Sequence, residues 1–89
     1  MTVRFEWDSN KDRANIVKHG VAFDEARKVF SDPHVIIRED CIAEREQRLH
    51  AIGYVERVLL VVHTLREEGV GAIIRIIRAQ SDTTGEEAL

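Results

Sequence analysis

Residues 58–78, VLLVVHTLREEGVGAIIRIIR, contain two runs of apolar, mostly β-branched residues on either side of a polar turn that carries glycine. This pattern predicts a β-hairpin. In the second run, Ile74 and Ile76 point to one face of the strand and Arg75 points to the other. The guanidinium of Arg75 then either reaches water from an uncovered sheet face or binds an anion. Because charged side chains are mostly exposed, the local sequence favours the first interpretation.

The chain before residue 21 predicts a strand followed by a capped helix. The alternation of apolar and polar residues at 2–7 is typical of a half-buried strand. Asp8 or Ser9 can accept hydrogen bonds from the free amides of a following helix, which we expect to extend through Lys18. Gly20 suits the left-handed residue that closes many helices.

Lys18 and His19 have two interpretations. Both come at the predicted end of the helix, where the negative end of the helix dipole favours cations, and this alone explains them. Alternatively, the two side chains present positive charge to an anion. The local sequence favours the structural explanation, because the helix end accounts for both residues without any ligand.

The middle of the chain predicts one more helix and three strands. Residues 21–31 have the apolar spacing of a second helix, and Asp32-Pro33 ends it. We then expect a strand at 34–39, an acidic connection at 40–47, and strands at 48–54 and 57–64 joined by a tight hairpin. The resulting order, β-α-α-β-β-β-β, predicts an α+β fold with both helices on one face of a mostly antiparallel sheet.

This architecture leaves the second sheet face open, and strand alternation predicts which residues lie on it. Arg48 and His50 share one side of their strand, opposite Leu49 and Ala51. If Arg75 lies on the same sheet face, a basic surface with an imidazole forms. The pairing register decides this, because a shift by one residue would reverse the assignment.

Length, charge and cysteine content restrict the class of protein. The 89 residues predict one domain, which we assign to residues 1–80, followed by an acidic tail at 81–89. The tail carries three acidic and no basic residues, which equals the whole net charge of −3. The single cysteine, Cys41, excludes an internal disulfide and a thiolate metal cluster. With neither a secretion signal nor a membrane span in the sequence, we expect a cytoplasmic protein.

The titratable residues fit phosphoryl transfer without a metal or another cofactor. Nucleotide-binding loops and paired metal ligands are missing from the sequence. Cleavage of RNA by its own 2′-hydroxyl needs a base, cations for the charge that develops on the phosphate, and a proton for the leaving oxygen. Arg48, Arg66 and Arg75 can supply the cations. His50 and His63 have the unperturbed acidity that proton transfer near neutral pH requires.

Nearly the whole chain, from Phe5 to about Ala79, resembles one protein family. Residues 5–33, FEWDSNKDRANIVKHGVAFDEARKVFSDP, are similar to the opening signature of the BrnT toxin family. The similarity continues through Arg48, Ile52-Gly53, the run LLVVHTLRE and the run IIRIIRA.

The resemblance implies a RelE-like ribonuclease fold and a toxin that acts on RNA and shuts down translation. It also implies a ribbon-helix-helix antitoxin, BrnA, which forms a heterotetramer with the toxin. In that complex the antitoxin is the part that contacts operator DNA. By the family motif, Arg48, Arg66 and Arg75 are expected to bind substrate or take part in catalysis. Thr83 and Glu86 match the C-terminal threonine and glutamate of the family.

The C-terminal residues depart from the family pattern. Residues 79–89, AQSDTTGEEAL, stand where the family has a basic, aromatic-ended segment, and Gln80 replaces an arginine. The exchange of cations for anions is expected to weaken RNA binding. Arg78 stands where the family has serine, and strand alternation puts it on the side opposite Arg75.

Two hypotheses follow from these observations. In the first, the protein is a metal-independent endoribonuclease toxin in which Arg48 and Arg75 hold the phosphate and His50 or His63 moves protons. Further substrate contacts are then expected from Lys18, His19, Arg66, Arg78 and Thr83. In the second, the same fold is a catalytically weakened module that only binds an antitoxin. Direct DNA binding is poorly supported, because the sequence contains no basic recognition helix.

Overall fold

The computed structural model describes residues 2–82. In chain order the elements are β1 (Val3–Glu6), α1 (Ser9–His19), α2 (Phe23–Ala26), a 3₁₀ turn (Arg27–Ser31), β2 (Ile36–Ala43), β3 (Glu46–Tyr54), β4 (Val58–Glu68) and β5 (Gly71–Ser81). One sheet contains all five strands in the order β1-β5-β4-β3-β2. Among the four strand pairs of the described residues, only β1–β5 is parallel. The predicted element order and the α+β class are confirmed.

The β4–β5 hairpin supplies much of the core, as the opening sequence pattern indicates. Its tight turn passes through Gly69, whose φ of 62° suits glycine. The core side of the hairpin packs against α2 and the 3₁₀ turn. The residues of the resulting hydrophobic core that are fully buried are Val21, Phe23, Ala26, Val29, Ala51, Leu59, Val61 and Ala79. Burial of these apolar side chains is the main source of stability.

Helix α1 begins and ends as predicted. Asp8 is the N-cap, and its Oδ1 accepts hydrogen bonds from the amides of Asn10 at 2.7 Å and Lys11 at 3.3 Å. These bonds stabilise the carboxylate and hold the pKa of Asp8 below its usual value. Gly20 closes the helix with a φ of 71°, and its amide donates to the carbonyl of Ile16.

The structure corrects two predicted boundaries. The second helix is shorter than residues 21–31, since regular α-helix covers only Phe23–Ala26 before the 3₁₀ turn. The predicted acidic connection at 40–47 is wrong, because β2 and β3 continue through most of it. Only Glu44 and Arg45 form the turn, and both have positive φ, as in a type I′ hairpin. The sequence lacks the Asn-Gly or Asp-Gly pair that usually marks such a turn.

Helix α1 is attached to the sheet edge through one polar side chain. β1 pairs with β5 only at Ala72–Arg75, so β5 has a free edge beyond it. There the side chain of Asn15 donates to the carbonyl of Ala79 at 2.8 Å and accepts from its amide at 3.1 Å. Asn15 also donates to the carbonyl of Val21 and is 6 % exposed. The amide side chain therefore replaces a neighbouring strand at this edge.

None of the helices within residues 2–82 has the length and apolar character needed to cross a membrane.

Candidate functional site

The sheet face that α2 leaves uncovered, called the open face below, carries the predicted arginines. Ala51 and Gly53 are buried on the core side of β3, so Arg48 and His50 point to the open face. His50 pairs with Val62 on β4, and the next open-face residue of β4, Thr64, pairs with Arg75 on β5. Continuing the β3–β4 register places Arg48 on the other side of Thr64. Arg48 and Arg75 therefore share one face, two strand spacings or about 10 Å apart.

The structure corrects the predicted position of Arg78. The β4–β5 register shifts between Val62, which pairs with Arg78, and His63, which pairs with Ile76. Ile77 is therefore the extra residue of a β-bulge, which reverses the alternation after it. Arg78 lies on the open face together with Arg75, rather than on the opposite side of the strand.

Arg75 and Arg66 converge on the carboxylate of Glu6. Arg75 Nη1 donates to Glu6 Oε2 at 2.9 Å, and Arg66 Nη2 lies 3.7 Å from Glu6 Oε1. Arg66 also lies 3.9 Å from Glu68. These side chains are between one third and three fifths exposed, so the ion pairs contribute little to stability. Glu6 instead places an anion beside two substrate-binding candidates.

Arg48 lacks such a carboxylate among residues 2–82. Its Nε atom is buried, and no hydrogen-bond partner for it lies within the described chain. A buried guanidinium nitrogen without a partner is costly, because the lost contact with water is not replaced. Of the three arginines that the sequence singled out, Arg48 is thus the one whose charge is available to an anion.

His50 lies beside Asp40 on the neighbouring strand. His50 Nε2 is 3.0 Å from Asp40 Oδ2, although the carboxylate lies off the direction of a well-aligned hydrogen bond. The His50 side chain is 26 % exposed, but its Nε2 atom is buried, so solvent or a substrate can reach other parts of the ring only. Arg38 pairs with His50 from the same strand as Asp40. The open face therefore presents an imidazole between charged groups of both signs.

His63 is not on the open face, which corrects its place among the predicted catalytic residues. It is 2 % exposed, and its ring packs edge-on against Phe30 with centroids 4.8 Å apart. His63 Nδ1 lies 3.2 Å from the carbonyl of Val61. Burial disfavours the imidazolium and lowers the pKa of His63 below its usual 6.5. The side chain has the contacts of a core residue.

The remaining predicted cations border a pocket between α1 and the open face. Lys18 and His19 come from α1, Arg48 from β3, and Arg78 from β5. The pocket has a volume of about 260 Å³. The structure thus brings Lys18, His19, Arg48 and Arg78 together, while Arg66 and Arg75 lie further along the sheet at Glu6. Thr83 is outside the described residues.

Three residues of this region were not among the predicted site residues: Glu6, Asp40 and Lys11. Alternation with Phe5 predicts which side of β1 Glu6 faces. The parallel pairing of β1 with β5, which brings Glu6 to Arg75, has no local signal in the sequence. Asp40 was assigned to a connection rather than to β2. Lys11 lies two helical turns before Lys18 and so on the same face of the helix. This spacing could have been noted once the helix was predicted.

Residues 2–82 contain no group of three or more His, Cys, Asp or Glu side chains placed to hold a metal ion.

Comparisons with known proteins find one family model and a solved structure that are similar to this chain. The model of the family described as ribonuclease toxin, BrnT, of type II toxin-antitoxin system matches residues 7–86. The fold is similar to the crystal structure of the Brucella abortus ribonuclease toxin BrnT, with a TM-score of 0.62 and 24 % sequence identity. That alignment covers 91 % of this chain and 97 % of the Brucella chain. A search of curated proteins finds no match.

Proposed function

The chain belongs to the BrnT family of ribonuclease toxins of type II toxin-antitoxin systems, and from this premise we propose that it is a metal-independent endoribonuclease that inhibits translation. Family membership implies an antitoxin partner.

The observation that carries the proposal is the position of Arg48 and Arg75 on either side of Thr64. With backbones about 10 Å apart, two long guanidinium side chains can reach one phosphate from opposite sides. Thr64 itself is 5 % exposed, so it forms a floor rather than an obstacle. One guanidinium group can donate two hydrogen bonds to the oxygens of one phosphate. Its positive charge also stabilises the negative charge that develops on the phosphate during the reaction.

His50 is the proposed proton acceptor, because it lies two residues from Arg48 on the same face of β3. It takes the proton of the RNA 2′-hydroxyl, whose oxygen then attacks phosphorus. The bond to the 5′-oxygen breaks, and that oxygen leaves with a proton from the imidazolium or from water. The products are a 2′,3′-cyclic phosphate and a 5′-hydroxyl. His63 has no part in these steps, since it is buried beneath the opposite face.

RNA on either side of the cleaved bond would extend past Arg66 in one direction, and past Arg78 on the sheet and Lys18 and His19 on α1 in the other. Thr83 stays a proposed substrate contact on the basis of the family resemblance. We further propose that the antitoxin is a BrnA-like ribbon-helix-helix protein that forms a heterotetramer with the toxin in the cytoplasm. Operator DNA would be bound through that partner.

A second candidate function is favoured by the ion pairs of Glu6. Both Arg66 and Arg75 already face an anion within the chain, and residues 81–89 add three acidic groups and no cation. Both features place negative charge near the proposed site and disfavour the binding of a phosphate. In this alternative the chain is a weakened or inactive family member that acts only as an antitoxin-binding and co-repressor module.

Labelled RNA incubated with the purified protein in excess chelator distinguishes the two. The enzyme is expected to cleave RNA at low and moderate salt, to leave 2′,3′-cyclic phosphate ends, and to spare an oligonucleotide with a single 2′-deoxy sugar at the cleaved position. The Arg75→Ala variant should lose cleavage. If the wild-type protein cleaves no RNA at any salt concentration, the module is the better description.

A further inference from the structure

The pocket beside α1 is built from elements that lie far apart in the chain. Lys11 and Lys18 are separated by two helical turns and share the face of α1 that borders the pocket. Arg78 enters from β5 and Arg48 from β3. The hydrogen bonds of Asn15 to Ala79 hold α1 against the edge of β5. The distance between the two walls of the pocket, α1 and the sheet, is therefore set by buried contacts.

The charge of this pocket has one sign. Four cations line it, and no aspartate or glutamate of residues 2–82 does. The net charge of the whole chain is −3, so the concentration of cations here is not an average property of the surface. Arg48 Nε is buried without a partner in the described chain. An anionic ligand would be attracted into the pocket by these cations.

The size and floor of the pocket indicate more than a bare phosphate. Val62 and Ile77 of the sheet give it an apolar floor, and Ala14 of α1 adds to its apolar lining. Its volume of about 260 Å³ equals roughly nine water molecules at about 30 Å³ each. This is more than one phosphate needs, and it lies just below the range of roughly 300–1,000 Å³ that is usual for small-molecule sites. A sugar attached to the phosphate can pack on the apolar floor.

We propose that this pocket binds one ribonucleotide unit of the RNA, with its phosphate between Lys11, Lys18 and Arg78 and its sugar over Ile77. The inference rests on the proposed function, because it places the unit next to the cleaved bond through the shared residue Arg48. It adds Lys11 to the substrate contacts and assigns α1 a direct part in RNA binding.

Lys11→Gln tests the pocket without touching the proposed catalytic residues. Titration calorimetry with adenosine 3′-monophosphate, adenosine and inorganic phosphate is expected to show the nucleotide bound at least tenfold more tightly than either fragment. The Lys11→Gln variant should lose about fivefold or more of the nucleotide affinity. The matched control is Lys28→Gln, which removes the same charge from an exposed position on the 3₁₀ turn and should change nothing.

A second arm uses a non-cleavable 2′-deoxy oligonucleotide. Its affinity should fall in Lys11→Gln by a similar factor, and a loss confined to the mononucleotide would overturn the assignment to RNA. Equal binding of nucleotide and inorganic phosphate, or equal effects of the two lysine variants, would also overturn it. Nucleotide binding that depends on Lys11 in a protein that cleaves no RNA would support the pocket and reject only the proposed enzymatic activity.

Discussion

Arg75 donates a 2.9 Å hydrogen bond to Glu6 across the parallel pair of β1 and β5. The same carboxylate lies 3.7 Å from Arg66, so one acid neutralises part of the charge of two arginines on the open face. An RNA phosphate that binds Arg75 has to replace Glu6 as its anion. Glu6 therefore sets how strongly this end of the face binds RNA.

Glu6→Gln is expected to increase RNA affinity. The substitution removes the competing charge, which at a separation of about 4 Å in water is equivalent to roughly 1 kcal/mol, or about fivefold in binding. Fluorescence anisotropy with a labelled 2′-deoxy oligonucleotide at low salt measures it. Glu25→Gln is the matched control, because Glu25 is also paired with an arginine, Arg57, but belongs to α2 on the covered side. An unchanged or lower affinity in Glu6→Gln would show that Glu6 does not compete with RNA.

Arg75→Ala is expected to abolish growth inhibition while leaving the protein folded. The ion pair that it removes is more than one third exposed on both sides and contributes at most about 1 kcal/mol to stability. Thermal unfolding of the variant should stay close to that of the wild type. Undiminished growth inhibition by a comparable amount of the variant would remove Arg75 from the mechanism.

His63 is expected to make the protein less stable as the pH falls below about 6.5. Burial lowers the pKa of His63 in the folded state, so the unfolded chain takes up a proton that the folded chain does not. The free energy of unfolding should therefore decrease toward acid, by at most about 1.4 kcal/mol per pH unit for this one group. Urea unfolding at pH 7.5 and 5.5 measures the slope.

The control for this slope is His63→Gln, which does not titrate and keeps an N–H donor. It should flatten the pH dependence, whereas His34→Gln at an exposed position should leave it as it is. Asp8, Asp24 and Asp32 also have shifted pKa values, but these lie below 3.8, so their stabilisation is lost only at lower pH. An identical slope in His63→Gln and wild type would contradict the assignment.

Asn15→Ala is expected to destabilise the fold by about 3 kcal/mol. It removes three hydrogen bonds and leaves the amide of Ala79 and two carbonyls without partners in a buried place. Asn10→Ala on the same helix is the control, since within residues 2–82 its side chain bonds only to Arg13, at the surface. Equal melting temperatures of the two variants would show that Asn15 does not hold α1 to the sheet.

Local patterns predicted the parts of the fold that depend on neighbouring residues. The β4–β5 hairpin follows from its apolar runs and turn, and the ends of α1 follow from Asp8 and Gly20. The common side of Arg48 and His50 follows from alternation within β3 alone. Each of these features is settled by residues a few positions apart, where side-chain period and capping chemistry act directly.

Features that depend on distant pairings could not be predicted in the same way. The bulge at Ile77 turns Arg78 to the open face, but no glycine or proline marks it. Glu6 reaches Arg75 only because β1 joins β5 in parallel, and Asn15 reaches Ala79 from 64 positions away. The type I′ turn at Glu44 and Arg45 has unusual residues, so sequence alone predicted a longer connection.

Arg48 and Arg75 are proposed to act on one phosphate, and the single-turnover rate of RNA cleavage in chelator shows whether they do. Each alanine substitution is expected to slow cleavage by about 100-fold or more, as for the loss of other charge-stabilising donors. The double variant should be much faster than the product of the two effects predicts, because the second arginine helps little once the first is gone. Rates unaffected by either substitution, or two effects that multiply in full, would contradict the claim.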